Sequence, residues 1–151
     1  MLMLGMTVSL LWSTHFLLLG AVTGAAMNAL SALRCYVYYR VKPVKRNLWV
    51  PWLFMGLLCT ATIFTWQGAV SLLPLAGSLC SILASWQRRP KAIRRLSLGS
   101  SPPWFVYNFI SGSYPGMVVE VLLVMSNLIG QYRFDFKHPA HRRLLHATKA
   151  A

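Results

Sequence analysis

The chain has 151 residues, of which 56% are hydrophobic and only 11% are charged, whereas about a quarter of the residues in a soluble domain carry a charge. Fifteen Lys and Arg residues stand against two acids, Glu120 and Asp135, which gives a formal net charge of +13. Nucleic acid is not an expected partner, because the basic residues flank apolar stretches of bilayer length instead of covering a solvated face.

The basic residues fall in three short clusters, separated by apolar stretches whose connections around Gly20, Gly68 and Gly112 carry no charge. This alternation predicts a chain that crosses a bilayer repeatedly, with every basic loop on the cytoplasmic side and in contact with anionic lipid head groups. The clusters are Arg34, Arg40, Lys42, Lys45 and Arg46; Arg88, Arg89, Lys91, Arg94 and Arg95; and Arg133, Lys137, Arg142, Arg143 and Lys149.

Six apolar segments are predicted to span, since a membrane helix needs about 20 residues. They cover residues 2–19, 21–39, 48–66, 69–86, 100–111 and 114–132. The fifth is the shortest, with Pro102 and Pro103 placed at its start, where proline is tolerated, and the alternative for it is a re-entrant segment. We therefore predict an all-α, polytopic bundle of about six transmembrane helices in hairpins, with both termini cytoplasmic.

The predicted organisation is one transmembrane domain, 1–135, followed by a basic cytoplasmic tail, 136–151. No cofactor or metal site is expected, because the three cysteines show no metal-ligand spacing and the tail histidines, His138, His141 and His146, lack a completing acid or cysteine. Without a recognisable catalytic set, the chain is not expected to be an enzyme.

Two glycine pairs spaced four residues apart, Gly20/Gly24 and Gly112/Gly116, predict tight turns and close helix approach. Similar pairs also join separate chains, so a homo-oligomer is left open. Asn28 and Arg34 are six residues apart, as are Asn127 and Arg133, which indicates an internal repeat.

Glu120 is the most informative residue within a predicted span, because an acid at the bilayer centre costs at least about 2.5 kcal/mol on insertion scales. Two interpretations of Glu120 are open. In the first, its carboxyl group binds a solute or carries a proton; in the second, it lies at the membrane interface and is hydrogen-bonded to a neighbouring residue. Asn127 lies seven residues further on and shares its helix face.

Other polar or helix-breaking residues in the spans leave two interpretations open. Trp104, Tyr107 and Asn108 form a stripe that lines a pocket or anchors a short helix at the interface. Pro74 predicts a kink in the middle of its segment, serving as a hinge or as packing. The candidate solute or proton site is Glu120, Asn127, Trp104, Asn108, Pro74 and Asn28.

The chain resembles the Imp-YgjV family of small bacterial inner-membrane proteins in the stretches LLPLAGSLCSILASW, SSPPWFVYNFISGS and GMVVEVLLVMSNLIGQYRFD, and in HFLLLGA and NALSALR before them. The resemblance implies a place in the bacterial inner membrane. Family members begin with one more helix and a basic loop, so we expect this chain to be truncated or to have a misplaced start. Seven helices would resemble the three-one-three plan of SWEET and nicotinamide riboside transporter-type carriers, although fold alone does not settle function.

The leading hypothesis is a carrier or facilitator for a small solute of unknown identity. The alternative is a non-transporting interaction or assembly subunit. A polar cavity around Glu120 favours the first, and an exposed patch of small residues on a solid core favours the second.

Overall fold

The computed structural model describes residues 2–41, 47, 49–87 and 89–133, and within these ranges the chain forms helices and turns without a strand. The six α-helices found there, α1 to α6, are Leu2–Leu18, Val22–Arg40, Trp49–Phe64, Leu72–Trp86, Pro90–Ile110 and Tyr114–Gln131, and a single 3-10 turn, Ala69–Ser71, precedes α4. The predicted all-α helix bundle is confirmed. The predicted tail, 136–151, lies outside the described residues.

The predicted start of the fifth segment, at residue 100, was wrong. Helix α5 begins at Pro90, so it has 21 residues and contains part of the predicted second basic loop. Pro90 occupies the first helical position, where its missing N–H costs nothing. Pro102 and Pro103 lie inside the helix. Prolines inside membrane helices are tolerated where neighbouring helices and Ser side chains satisfy the freed backbone groups.

By length and apolar composition, one helical run in the described ranges, Ala69–Trp86, is sufficient to cross a membrane by itself. Helices α1 and α3 are apolar but shorter. Helices α2, α5 and α6 have 19, 21 and 18 residues but carry more polar side chains.

Consecutive helices run in opposite directions. Helix α1 packs mainly on α2, and α5 packs on both α4 and α6, while α3 packs on α4 and α2. A buried cluster joins α2, α3 and α4, and consists of Met27, Tyr38, Val50, Phe54, Leu58 and Ile82. A smaller cluster of Phe16, Ala21, Ala25 and Tyr107 joins the first hairpin to α5.

Each of the three uncharged turns contains a glycine with positive φ: Gly20 at 70°, Gly68 at 91° and Gly112 at 68°. Only glycine adopts this backbone region without a steric cost, so these positions fix where the hairpins turn. The tight turns predicted at Gly20 and Gly112 are confirmed.

The uncharged turns are hydrogen-bonded to one another at one end of the bundle, which we call the uncharged end. Gln67 Nε2 donates to Gly20 O at 3.0 Å, and Thr23 Oγ1 donates to Thr65 O at 2.5 Å. Because the helices alternate in direction, the ends of α2 and α4 and the starts of α3 and α5 lie at the opposite end. The cytoplasmic location of that end stays a prediction.

Candidate functional site

The stripe on α5 packs against glycines of two neighbouring helices. A Cβ atom at Gly24 would lie 2.5 Å from Tyr107 Cε1, and one at Gly77 would lie 2.5 Å from Trp104 Cδ1. The Tyr107 hydroxyl also accepts a hydrogen bond from Gly24 N at 2.8 Å. The stripe therefore fixes α5 against α2 and α4, and the predicted close approach at Gly24 is confirmed.

Asn108 makes a similar contact with α6. A Cβ atom at Gly116 would overlap Asn108 Oδ1, so the close approach predicted for this glycine is also confirmed. Asn108 Nδ2 donates to Trp104 O at 2.9 Å within α5. Although Asn108 is only 3% exposed, its Oδ1 has no hydrogen-bond partner among the described residues.

Next to this stripe, α1, α2, α4, α5 and α6 surround a cavity of about 440 Å³. Five of the six predicted site residues line it: Glu120, Asn127, Trp104, Asn108 and Asn28. The structure thus brings together, from three helices, residues that are up to 99 positions apart in the chain.

Pro74 is not among the lining residues, and its predicted place in the middle of a helix was wrong. It is the third residue of α4, fully buried, and it follows the 3-10 turn. Backbone N–H groups in the first turn of a helix have no intrahelical acceptor, so proline fits there without breaking the helix.

Serines from α4 and α5 form one wall of the cavity. Ser100 Oγ donates to Gly77 O at 2.8 Å and lies 2.9 Å from Ser81 Oγ. Ser78 is only 4% exposed, and within the described ranges its Oγ has no hydrogen-bond partner. This wall offers hydroxyl groups that donate as readily as they accept.

Arg34 lines the cavity too, although the sequence analysis placed it in a basic loop. It lies within α2, is 9% exposed, and Nη1 donates to Ser81 O at 3.2 Å and to Ser85 Oγ at 2.7 Å. Both partners are neutral. Its guanidinium therefore holds α2 against α4 and places a positive charge in the cavity wall.

Glu120 is half-buried in the α6 wall, where its carboxyl group interacts with the Ser101 hydroxyl. It is the only carboxylate in the described part of the chain, and no ion pair joins it to another described residue. Asn127 and Asn28 donate to carbonyls of their own helices, Leu123 O and Gly24 O, both at 2.9 Å. Their amide oxygens remain as acceptors.

Two signals in the sequence pointed to the missed residues. Arg34 lies inside the segment predicted to span, 21–39, so its inclusion in a loop cluster was inconsistent with that prediction. Serines recur at helical spacing at positions 78, 81 and 85 and again at 97, 100 and 101. Residues three or four apart share a face, so this pattern indicates a polar stripe on each of two helices.

Comparison with known proteins gives one family. The family model Imp-YgjV, described as a bacterial inner membrane protein, matches residues 1–138. The chain is 29% identical over 120 residues to inner membrane protein YgjV of Escherichia coli (strain K12), which covers 80% of this chain and 63% of that relative. The chain thus spans less than two thirds of the length of this curated relative. No solved structure matches.

Proposed function

The chain belongs to the Imp-YgjV family of bacterial inner membrane proteins, and we propose that it is a carrier or facilitator that binds a small polar solute in its cavity. The observation that supports this proposal is a cavity of about 440 Å³ inside a membrane helix bundle, lined by apolar side chains together with serines, asparagines, Arg34 and Glu120. Its volume falls within the range of ligand sites, about 300–1,000 Å³. Polar groups in a membrane interior are costly, and they commonly mark solute pathways.

Two residues of the cavity wall, Asn108 and Ser78, carry buried polar atoms without a hydrogen-bond partner among the described residues. Asn108 Oδ1 and Ser78 Oγ are covered by neighbouring atoms, so a solute would bond them only after these side chains move. Leaving such a group unsatisfied costs about 1–3 kcal/mol.

The cavity has aromatic side chains towards one end and polar side chains towards the other, which supports the carrier proposal. Towards the uncharged end, the rings of Phe16, Trp104 and Tyr107 pack with centroids 5.7 to 6.0 Å apart. Towards the other end, the polar lining continues to Arg34 and Asn127. We propose that this conformation is closed at the uncharged end, and that alternating access moves the aromatic residues apart.

The assembly hypothesis predicts exposed small-residue faces. Gly24, Gly77 and Gly116 are covered by side chains of α5 in the same chain, so these glycines join helices within the bundle. Gly56, Cys59 and Thr60 are exposed together on α3, and this face keeps assembly as the second candidate function. Self-association and contact with anionic lipids stay predictions.

The proposal is tested by osmotic swelling of liposomes that contain the purified protein. Vesicles are mixed with iso-osmotic solutions of glycerol, erythritol, urea, glycine or 4-aminobutyrate, and solute entry is followed by light scattering. We expect at least one solute to enter at least about five-fold faster than into protein-free vesicles. Equal rates for all five solutes would contradict transport of small polar solutes.

The site is tested with Glu120→Gln and Asn127→Ala, which we expect to lower the entry rate of that solute about five-fold or more. Thr60→Ala is the control, because Thr60 is exposed on α3 and bonds only Gly56 O of its own helix. Flux equal to wild type in both cavity variants, at equal insertion, would remove the site assignment.

A further inference from the structure

We infer that the solute is a small zwitterion whose anionic group binds Arg34 and whose ammonium group binds Glu120. The inference rests on the proposed function, because it names the chemical class that the cavity would accept. It is carried by a guanidinium group and a carboxyl group that share the cavity and do not pair with each other.

The anionic end is defined by Arg34. This guanidinium is nine-tenths buried, and its hydrogen bonds go to the neutral oxygens of Ser81 and Ser85. In the described ranges no carboxylate neutralises it. A buried charge without a counter-charge is strongly unfavourable, whereas a carboxylate on a guanidinium makes short, charge-assisted hydrogen bonds.

The cationic end is defined by Glu120 on α6, which lines the cavity. Its carboxyl group interacts with the neutral Ser101 hydroxyl and with no described cation. A carboxylate presents acceptors only, whereas an ammonium group has three donors and no acceptor.

The two ends lie at different depths. Glu120 is six residues from the start of α6 at the uncharged end, which is about 9 Å, and Arg34 is twelve residues from the start of α2 at the same end, about 18 Å. Taking the starts of α2 and α6 at the uncharged end as one level, the two Cα atoms differ in depth by about 9 Å. Both residues line the same cavity, so the solute should carry its charges several bonds apart rather than on adjacent carbons.

Solutes with one charge fit less well. A simple anion would leave Glu120 unpaired, and a simple cation would leave Arg34 unpaired, so each would retain one uncompensated charge in a membrane interior. A neutral polyol would satisfy the serine hydroxyls but neither charge. A zwitterion neutralises both groups and has no net charge to carry across the bilayer.

The test measures thermal unfolding of the full chain in detergent with matched probes. 4-Aminobutyrate is compared with butyrate and butylamine, which each lack one of its charges, and with glycine and erythritol. We expect 4-aminobutyrate to raise the melting temperature by about 3 °C or more at a saturating concentration, and the other four probes to raise it by less than about 1 °C.

Two variants assign the ends. Glu120→Gln should abolish the preference for 4-aminobutyrate over butyrate, because the anionic end still binds Arg34. Arg34→Gln should remove the response to 4-aminobutyrate. Arg40→Gln is the matched control on the same helix, since Arg40 is exposed and its guanidinium lies over the ring of Tyr36. If Arg34→Gln does not fold, Glu120→Gln still decides the cationic end.

The outcomes separate the two proposals. A shift with erythritol, or with butyrate alone in the wild type, would overturn the zwitterion and leave a solute-binding cavity in place. The zwitterion would also be overturned if Glu120→Gln kept the wild-type difference between the shifts with 4-aminobutyrate and with butyrate. No shift with any probe, together with swelling at the protein-free rate, would contradict both the zwitterion and the carrier.

Discussion

The uncharged end and the cavity both contain polar groups buried inside the bundle, but the hydrogen bonding of these groups differs. At the uncharged end the polar groups bond one another: Thr23 Oγ1 contacts both Thr65 O and Ser71 Oγ, and Ser113 Oγ lies 2.9 Å from His15 Nε2. In the cavity, Asn108 Oδ1 has no hydrogen-bond partner among the described residues, and neither does Ser78 Oγ.

We propose that the polar groups of the uncharged end hold helices together and that those of the cavity serve a ligand. The hydroxyl of Tyr38, in the core cluster of α2, α3 and α4, is also buried without a described partner, so an unpartnered atom alone does not mark a ligand site. A buried hydrogen bond that is made contributes about 0.5–1.5 kcal/mol, and a buried group that is unmade costs about 1–3 kcal/mol. The uncharged end should therefore lose stability when its polar groups are removed. The cavity should lose function instead.

The largest effect is expected where α5 meets α2. Gly24→Ala would place a methyl group 2.5 Å from Tyr107 Cε1, so we expect a loss of about 1–3 kcal/mol in the free energy of unfolding. Gly56→Ala is the control, because no atom lies within 4 Å of the added group. The better helix propensity of alanine should leave it unchanged or more stable by about 0.5–1 kcal/mol. Thermal unfolding in detergent measures both, and equal melting temperatures would contradict the close contact.

The next effect concerns the start of α2. Gly24 N lies in the first turn, where no intrahelical acceptor is available, and the Tyr107 hydroxyl accepts its hydrogen bond at 2.8 Å. Tyr107→Phe should lower the free energy of unfolding by about 1–2 kcal/mol. Tyr114→Phe, at an exposed hydroxyl, should change it by less than about 0.5 kcal/mol. A larger loss in Tyr114→Phe than in Tyr107→Phe would refute this capping role.

Most helix bounds could be predicted from the sequence, because apolar runs between charged or glycine-containing turns define membrane helices directly. The start of α5 could not, since the sequence analysis took Pro102 and Pro103 as a helix start. In the structure Pro90 starts the helix and the two later prolines are carried within it. Proline has no backbone N–H and removes one hydrogen bond of a helix. Whether a helix starts at the proline or continues through it depends on the neighbouring helices.

For the cavity, the polar character of a residue within an apolar segment predicted correctly that it lines the site. The position of a residue within its predicted segment was a poorer guide. Glu120 and Asn127 were selected because polar groups in a membrane are costly, and that argument needs no tertiary information. Arg34 was missed because positive charge near a helix end normally indicates a loop. Pro74 was selected for a kink that its place in the first turn of α4 does not produce.

The smallest effect on stability is expected at Ser78, a buried serine in the middle of α4, and Ser71, the buried serine just before α4, is its comparison. Ser71 is fully buried, accepts a hydrogen bond from Gln67 N at 2.9 Å and contacts Thr23 Oγ1, so Ser71→Ala should cost about 1 kcal/mol or more. Ser78→Ala removes a hydroxyl without a described partner and should change stability by less than about 0.5 kcal/mol, or increase it. Its effect should appear in the swelling assay, as a slower entry of the transported solute. If Ser78→Ala destabilised the protein as much as Ser71→Ala while transport stayed at the wild-type rate, the Ser78 hydroxyl would be structural, and the distinction between the two regions would fail at this residue.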